Sequence, residues 1–298
     1  MGLQMITPTA SDVPRAAQEL ASWQADGLPV QLHPGDLGWY SLRGLDATAQ
    51  SLRLWVKDRR IVALGLLDGP SLLRLGINPA LREDEKLAAQ IASDLNSVAR
   101  RIFTTKTVSV EARGARRLGR LLLESGWTAG EQWTPLRRSL ASEIQVPLLR
   151  VTAIDSSKAR DWVAVHASAF RGGHASGQEL DLLEESWLRM AGNPLYAEGQ
   201  CLLGYNGRGI PVAVAAVWSA GPGAPGLLEP IGVHAEHRGH GYGQAITLAA
   251  AAQLRSMGAS SAVVGTPSDN STAVGAYVSA GFTADAPVAD FDLQRTTT

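Results

Sequence analysis

Residues 227–257 commit this chain to an α/β fold. Residues 227–233 read as a mostly apolar strand, and Arg238-Gly239-His240-Gly241-Tyr242-Gly243 supplies a glycine turn. Residues 244–257 are rich in alanine and leucine, a strong helix-forming composition, with Gly258 placed to end them. A helix from Tyr242 to Met257 is roughly 24 Å long, enough to carry the chain back across a sheet. The next apolar segment, 261–266, is therefore expected to run parallel to the first through a right-handed crossover. Both strands finish at the same edge. Asn270 precedes a helix expected over 271–280, where Ala273 and Tyr277, four apart, share one face. That face comes out beside the glycine turn.

A strand, a glycine turn and a helix in this order make an anion site. Glycines let the backbone turn sharply and aim several N–H groups at a phosphate, with the positive end of the helix behind them. The bland alternatives stay open at this stage. The turn is also compatible with a plain strand-to-helix connection, Tyr277 with an ordinary half-buried aromatic, and Asn270 with a helix cap alone. Tyr242 is read as a packing residue. His234, His237 and His240 recur every three residues but lack a closed ligand set, so no metal site is expected.

The segment resembles the cofactor-binding half of the GNAT acyltransferase superfamily. Arg238, Gly241 and Gly243 match its Arg/Gln-x-x-Gly-x-Gly/Ala signature, followed at family-like spacing by Asn270, Tyr277 and the Gly281-Phe282 pair. The resemblance covers residues 148–293 well and residues 6–140 only weakly. It implies transfer of an acetyl group from acetyl-CoA to a primary amine by direct attack in a ternary complex. Acetyl-CoA would lie along Val233, His234, Arg238, Gly239, His240, Gly241, Tyr242, Gly243 and Gln244, with Asn270, Ala273 and Tyr277 opposite. Tyr277 would protonate the departing thiolate. Backbone N–H groups near Val233 and His234 would polarise the thioester carbonyl if the family's strand bulge is present. An alkylammonium must lose a proton before it attacks; Glu229, on the strand lining the cleft, is the leading base, with His234, His166 and His174 as substitutes. A strand carboxylate satisfied by a backbone donor is the competing reading of Glu229.

The fold is expected twice. Glu124-Ser125-Gly126-Trp127 matches Ser279-Ala280-Gly281-Phe282 at an offset of 155 (279 − 124), residues 72–77 read as a strand equivalent to 228–233, and 86–101 as the helix after it. The copies part in the loop. Arg82 corresponds to Arg238, but Glu85 and Leu87 stand where Gly241 and Gly243 are, and Glu83, Asp84 and Glu85 would repel a pyrophosphate. Leu122 replaces Tyr277 and Ala115 replaces Asn270. The expected architecture is two tandem GNAT-like α/β domains, each a mixed, mostly antiparallel sheet flanked by helices with splayed parallel central strands. A degenerate domain spans 1–140 and an acetyl-CoA-binding one 141–298, with the boundary in the polar stretch 139–147. In the second, 148–154, 201–205 and 212–218 read as strands, the last two joined at Asn206-Gly207. Residues 161–170 and 180–190 read as helices, with a loop over 171–177.

Twenty-seven basic and 28 acidic side chains leave no electrostatic footprint for nucleic acid or an anionic membrane. One cysteine, Cys201, excludes an intramolecular disulfide. No secretory signal or bilayer-length apolar run is visible, so a cytoplasmic protein is expected, a monomer in preference to a dimer. The acceptor, a small-molecule or peptide amine, has no motif. Glu179, Asp181, Glu184 and Glu185 could receive a cation or be a solvated face; Trp162 and Trp187 could wall a pocket or sit in the core. Two alternatives remain: a non-catalytic CoA-binding sensor or scaffold, and a narrower enzyme resembling mycothiol synthase, also a tandem GNAT protein with unequal halves. Aminoacyl-tRNA-dependent peptide ligases, a third tandem-GNAT class, are disfavoured by the neutral charge balance.

Overall fold

In the computed structural model, which describes residues 2–97, 102–146, 148–173 and 175–295, the two halves lay down the same succession of elements except for an additional helix, α3, in the first and a short additional strand, β12, in the second. The first runs β1 (Gln4–Ile6), α1 (Val13–Ser22), α2 (Pro34–Tyr40), α3 (Leu45–Ser51), β2 (Leu52–Lys57), β3 (Arg60–Leu67), β4 (Leu72–Ile77), α4 (Glu85–Asn96), β5 (Thr107–Glu111), α5 (Arg116–Glu124) and β6 (Thr128–Ser139). The second runs β7 (Arg150–Ala153), α6 (Ala159–Arg171), α7 (Gly177–Ala191), β8 (Gly199–Tyr205), β9 (Pro211–Trp218), β10 (Gly226–Val233), α8 (Tyr242–Ser256), β11 (Ser261–Pro267), α9 (Ser271–Ser279), β12 (Thr283–Ala284) and β13 (Val288–Gln294).

The parallel pair expected from the crossover is present in both halves, and in the same register. Leu73 faces Val110 between β4 and β5; Leu227 faces Val263 between β10 and β11. Adding 156 to the first strand and 155 to the second carries Leu72↔Ser109 to 228↔264, the continuation of the pairing in the second half. The Gly-aromatic pair is equivalent in three dimensions too. Gly126 and Gly281 both have positive φ, 90° and 79°, and Trp127 N–H donates to Leu122 O as Phe282 N–H donates to Tyr277 O. Leu122 therefore occupies the place of Tyr277.

The sheet order contains a feature that the sequence reading did not anticipate. It runs β1-β2-β3-β4-β5-β13-β6-β11-β10-β9-β8-β7. The last strand of the chain is inserted beside β5 of the first half, while β6 lies against β11 of the second. The halves have exchanged their final strands, and β13 pairs with β6 at the seam. Apolar cores follow the same exchange: Phe291 and Leu293 pack into the first half's core with Leu118 and Trp127, and Leu136 and Leu140 into the second half's core with Ile246 and Phe282. Clusters under α1 and α2 and under α6 and α7 cover the opposite face.

Several local expectations are corrected. The strand expected over 148–154 is shorter, because Leu148 has φ 69° and sits exposed outside it. The predicted 86–101 helix starts at Glu85 and ends at Asn96, its last predicted residues lying outside the described ones. The β8–β9 connection is not a two-residue turn at Asn206-Gly207. Asn206 closes a longer loop, its Oδ1 accepting from Arg208 and Ile210 N–H, and Gly209 takes the positive φ.

Strand exchange makes a prediction about stability. Phe291 sits within the last ten residues, yet its ring lies against Gly119, where an added Cβ would come within 2.6 Å. Phe291→Ala should lower the stability of the first half's core by roughly 2–3 kcal/mol, below the range for a fully buried ring. In a denaturant melt the loss should appear in one transition reported by both halves; a shift confined to the second half would contradict the exchange.

Candidate functional site

At the edge where β10 and β11 part, a cavity of ≈ 530 Å³ is lined by Val233, Arg238, Gly239, Gly241, Tyr242, Gly243, Asn270, Ala273 and Tyr277, with Ala169 and Phe170 from α6 on one side. Nine of the residues singled out from the sequence thus meet in one hollow. Gly241 is the N-cap of α8 with φ 77° and has no side chain to satisfy the first-turn N–H groups. Those donors stay open toward the hollow. At Gly243 an added Cβ would be 3.8 Å from its nearest neighbour, so the absence of a side chain here keeps space clear rather than relieving a clash.

The equivalent helix in the first half is closed. Asp84 is the N-cap of α4, and its Oδ1 accepts from Leu87 N–H. Glu83 and Glu85 pair with Arg116 and Arg117 on α5. The gap between β4 and β5 is also filled from within: Gln31 Oε1 accepts from Ile77 N–H, the counterpart of Val233, while Pro29 crowds Gly114 and Leu32 approaches Gly76. The acids expected to repel a ligand are instead occupied by the protein itself.

The bulge that the resemblance required is present. Between Leu228↔Val217 and Ile231↔Ala215, β10 has one more residue than β9, and the extra length falls at the cis Glu229-Pro230 bond. No such shift interrupts β3–β4. Alternation along the ladder decides which amide serves the cleft. His234 N–H donates to Val212 O, so it is engaged in the sheet and cannot polarise a thioester. Val233 N–H, one residue back, points the other way, into the gap. His234 Nδ1 accepts from Glu236 N–H as a cap. His240 and Gln244 also turn away: the His240 ring stacks on Tyr242 and contacts Arg238 O, and Gln244 donates to Ser279 O. These three are not in the cavity lining. Asn270 Oδ1 accepts from Ala273 N–H, so it caps α9 as well as facing the hollow.

Glu229, predicted as the base, is not part of that lining either; 37% of its side chain is accessible, and its charge reaches Tyr277, which is. Burial of its carboxyl, reinforced by Asp36 and Glu111 and opposed by Arg74, pushes its pKa up to about 7. Tyr277 is held well above the usual phenol range by burial and then by the charge of Glu229, so it remains a proton donor at neutral pH. His166 is pushed down to about 4, chiefly by burial. Its ring is stacked on Trp162 and flanked by Trp39 and Phe170. His174 lies outside the described residues. Trp162 and Trp187 are core residues, 1% and 3% exposed. The acidic cluster is spent locally: Asp181 and Glu184 on Arg160, Glu185 on Arg189, and Glu179 in the capping box of α7. Among the described residues no group of three or more His, Cys, Asp or Glu side chains could hold a metal, and no helix is long and apolar enough to cross a membrane.

Residues 162–282 match the model of the acetyltransferase (GNAT) family. The second half is a GNAT-family acetyltransferase domain. Two curated proteins, both named mycothiol acetyltransferase, are similar over part of the chain. The one from Thermobispora bispora is 30% identical over 174 residues, covering 55% of this chain and 58% of that protein. The one from Renibacterium salmoninarum is 33% identical over 176 residues, covering 57% and 47%. The chain thus spans about half the length of the curated relatives it matches. Among solved structures, a tandem GNAT protein from the clavulanic acid biosynthesis pathway superposes over 100% of both chains with TM-score 0.64 and 14% identity. A GNAT-family acetyltransferase from Colwellia psychrerythraea does so over 99% of this chain and 100% of its own, with TM-score 0.58 and 15% identity. At those identities the likeness is one of fold, and it extends the tandem GNAT arrangement across the whole chain.

Gly243→Asp tests the cradle without straining it. A carboxylate there should weaken acetyl-CoA binding roughly 100-fold or more, equivalent to losing two charge-assisted hydrogen bonds of about 1.5 kcal/mol each. The melting temperature should barely move. Titration calorimetry showing unchanged affinity would place the pyrophosphate elsewhere.

Proposed function

We propose that the chain is an N-acetyltransferase with one acetyl-CoA site, in its second half, acting by direct attack of a primary amine on the thioester within a ternary complex. The observation that carries this reading is the open N-terminus of α8 facing a hollow shared with Tyr277, in contrast to the internally capped α4. First-turn N–H groups from Tyr242 to Gln244 would hold the pyrophosphate through backbone donors alone. Val233 N–H would donate to the thioester carbonyl oxygen, favouring the charge that develops as the amine nitrogen attacks. Glu229, directly or through one water, would take the ammonium proton; Tyr277 would give its own to the sulfur as the C–S bond breaks. The residue assignments and the division into a degenerate 1–140 unit and an active 141–298 unit are part of this proposal. So is a monomer working in the cytoplasm, where acetyl-CoA is made and used.

The names of the two curated relatives make a mycothiol-precursor amine the first acceptor to try. Turnover of any amine would dismiss a non-catalytic CoA-binding scaffold. Calorimetry should give one acetyl-CoA per chain; two would overturn the reading of the first half.

The protonation states set a direction for pH dependence. Glu229 must be ionised to act as base, so kcat should fall as pH drops below about 7, one decade per unit. Glu229→Gln should remove that limb along with most of the activity. Tyr277→Phe should lower kcat by ~10²-fold, the low end for a positioned acid, because a coenzyme A thiolate is already a fair leaving group. Saturating turnover unaffected by that substitution would take Tyr277 out of the chemistry.

A further inference from the structure

Three groups converge on Glu229 from the half that has no open cradle. Arg74, on β4, places Nη1 3.6 Å from Glu229 Oε1. The same guanidinium is 2.9 Å from Asp36 Oδ1 and 3.3 Å from Glu111 Oε2. The carboxyls of Asp36, on α2, and Glu229 are close enough to influence each other's ionisation. Arg74 and Glu111 are register partners on parallel strands, so their side chains emerge together on one face. The side chains of Asp36 and Glu111 are 1% and 4% exposed, against 37% for Glu229. Of the three, Glu229 alone keeps substantial access to solvent.

The scaffold holds these groups tightly. Gly35 and Gly38 of α2 lie on Trp218 of β9, where an added Cβ would come within 2.4 and 2.3 Å; any other residue would lift α2 away. His33, the cap of α2, accepts from Gly35 N–H at Nδ1, which leaves Nε2–H to donate to Pro225 O just ahead of β10. Asp36 Oδ2 accepts from His33 N–H. Trp218 Nε1–H donates to the backbone oxygen of Glu229. Neither β9 nor β11, the neighbours of β10, carries a titratable side chain. On α6, Arg160 pairs with Asp181 and Glu184, Asp161 pairs with Lys158, His166 packs among Trp39, Trp162 and Phe170, and Arg171 is at the exposed end; on α8, Tyr242 stacks with His240 and Arg255 bonds to Leu140 O. From α9, Tyr277 is within range of the charge on Glu229. The charge around this carboxyl is therefore set by Arg74, Asp36 and Glu111, the last of these also paired with the buried Arg113 at 3.2 Å.

We propose that Arg74 and Asp36 are positioning residues for Glu229, so that the first half, though it has no open cradle of its own, holds and tunes the base of the second. Arg74 favours the ionised carboxylate and fixes its direction. Asp36 and Glu111 oppose ionisation, because two neighbouring carboxyls cannot both carry charge cheaply and one of them holds its proton the longer. The activity arm of the test below rests on the proposed function; the titration arm does not.

Because the two residues act with opposite sign, their substitutions should move the same titration in opposite directions. In the full-length protein with 13C-labelled glutamate, the Glu229 side-chain carbonyl, assigned by its loss in Glu229→Gln, is followed by NMR against pH beside the pH profile of kcat. Arg74→Gln should raise the Glu229 midpoint by about one unit or more, and Asp36→Asn should lower it by a similar amount. Arg74→Lys, which keeps the charge, should stay near the wild type. The kcat limb should follow each midpoint, so Arg74→Gln loses about tenfold at pH 6 and approaches the wild-type rate only as the pH rises past about 8. A merely structural role would lower kcat at every pH and leave the midpoint in place. Should Arg74→Gln not fold, Asp36→Asn alone decides. A midpoint that fails to move, or moves the same way in both variants, overturns the proposal. A midpoint that moves as expected while kcat ignores it upholds the positioning and sinks Glu229 as the base.

Discussion

The last strand of each half is hydrogen-bonded into the sheet of the other, and the rest of the molecule depends on that exchange. Strand pairing is obligatory for the backbone: N–H and C=O groups at an open edge must find partners or water. Here β5 finds β13 and β11 finds β6. The halves cannot separate without breaking the β5–β13, β13–β6 and β6–β11 ladders and exposing two apolar cores. This coupling fixes α2 over β9 and β10, and brings a helix from the first half to the mouth of a cleft in the second. A simple bead-on-string pair of domains would leave that geometry to a linker.

Two copies of one helix terminus, α4 and α8, then show how little separates a closed site from an open one. Both follow a strand that runs parallel to its successor, and both would present the same unpaired amides. Asp84 spends one of those amides on its own carboxylate, while Gly241 has no side chain with which to do so. Gln31 takes Ile77 N–H, the amide whose counterpart at Val233 stays turned toward the gap. The bulge at Glu229-Pro230 adds the other difference: β10 carries one residue more than β9 at this point, where β4 runs unbroken beside β3.

Much of this was legible in the residues because it is local. The periodicity and composition of 244–257, the glycine spacing at 238–243 and the four-residue step from Ala273 to Tyr277 each carry their own geometry, and the structure brings those residues to one hollow. The repeated Gly-aromatic pair was readable for the same reason: a positive φ after a helix leaves glycine as the favoured residue. What the sequence hid is long-range. Residues 288–294 look like any half-buried strand, and nothing in them says that their partner is Val110 rather than a neighbour in their own half. Which amide faces the cleft, Val233 or His234, depends on the phase of the β9–β10 ladder, set by a bulge that no residue type announces. Arg74 and Asp36 carry no motif either, and they become visible only when α2 and β4 are laid against β10.

The Arg74 cluster is a poor device for stability. Removing a guanidinium and several carboxylates from water costs more than their mutual attraction generally returns, and an apolar set of the same volume would hold the halves at least as well. Its geometry also leaves loose ends: Arg74 Nε and Glu111 Oε1 have no well-aligned hydrogen-bond partner among the described residues. An arrangement that is expensive to bury and imperfectly paired makes little sense as glue. It makes sense beside a carboxylate whose charge has to change. With Asp36 and Glu111 pressing against ionisation and Arg74 pressing for it, Glu229 is balanced near neutrality, where a small change in its surroundings, such as an ammonium entering the cleft, would tip the proton from one state to the other. Stability in this region is supplied instead by Trp218 against Gly35 and Gly38, and by the strands that cross the seam; the charges are free to serve the site because the packing does not need them.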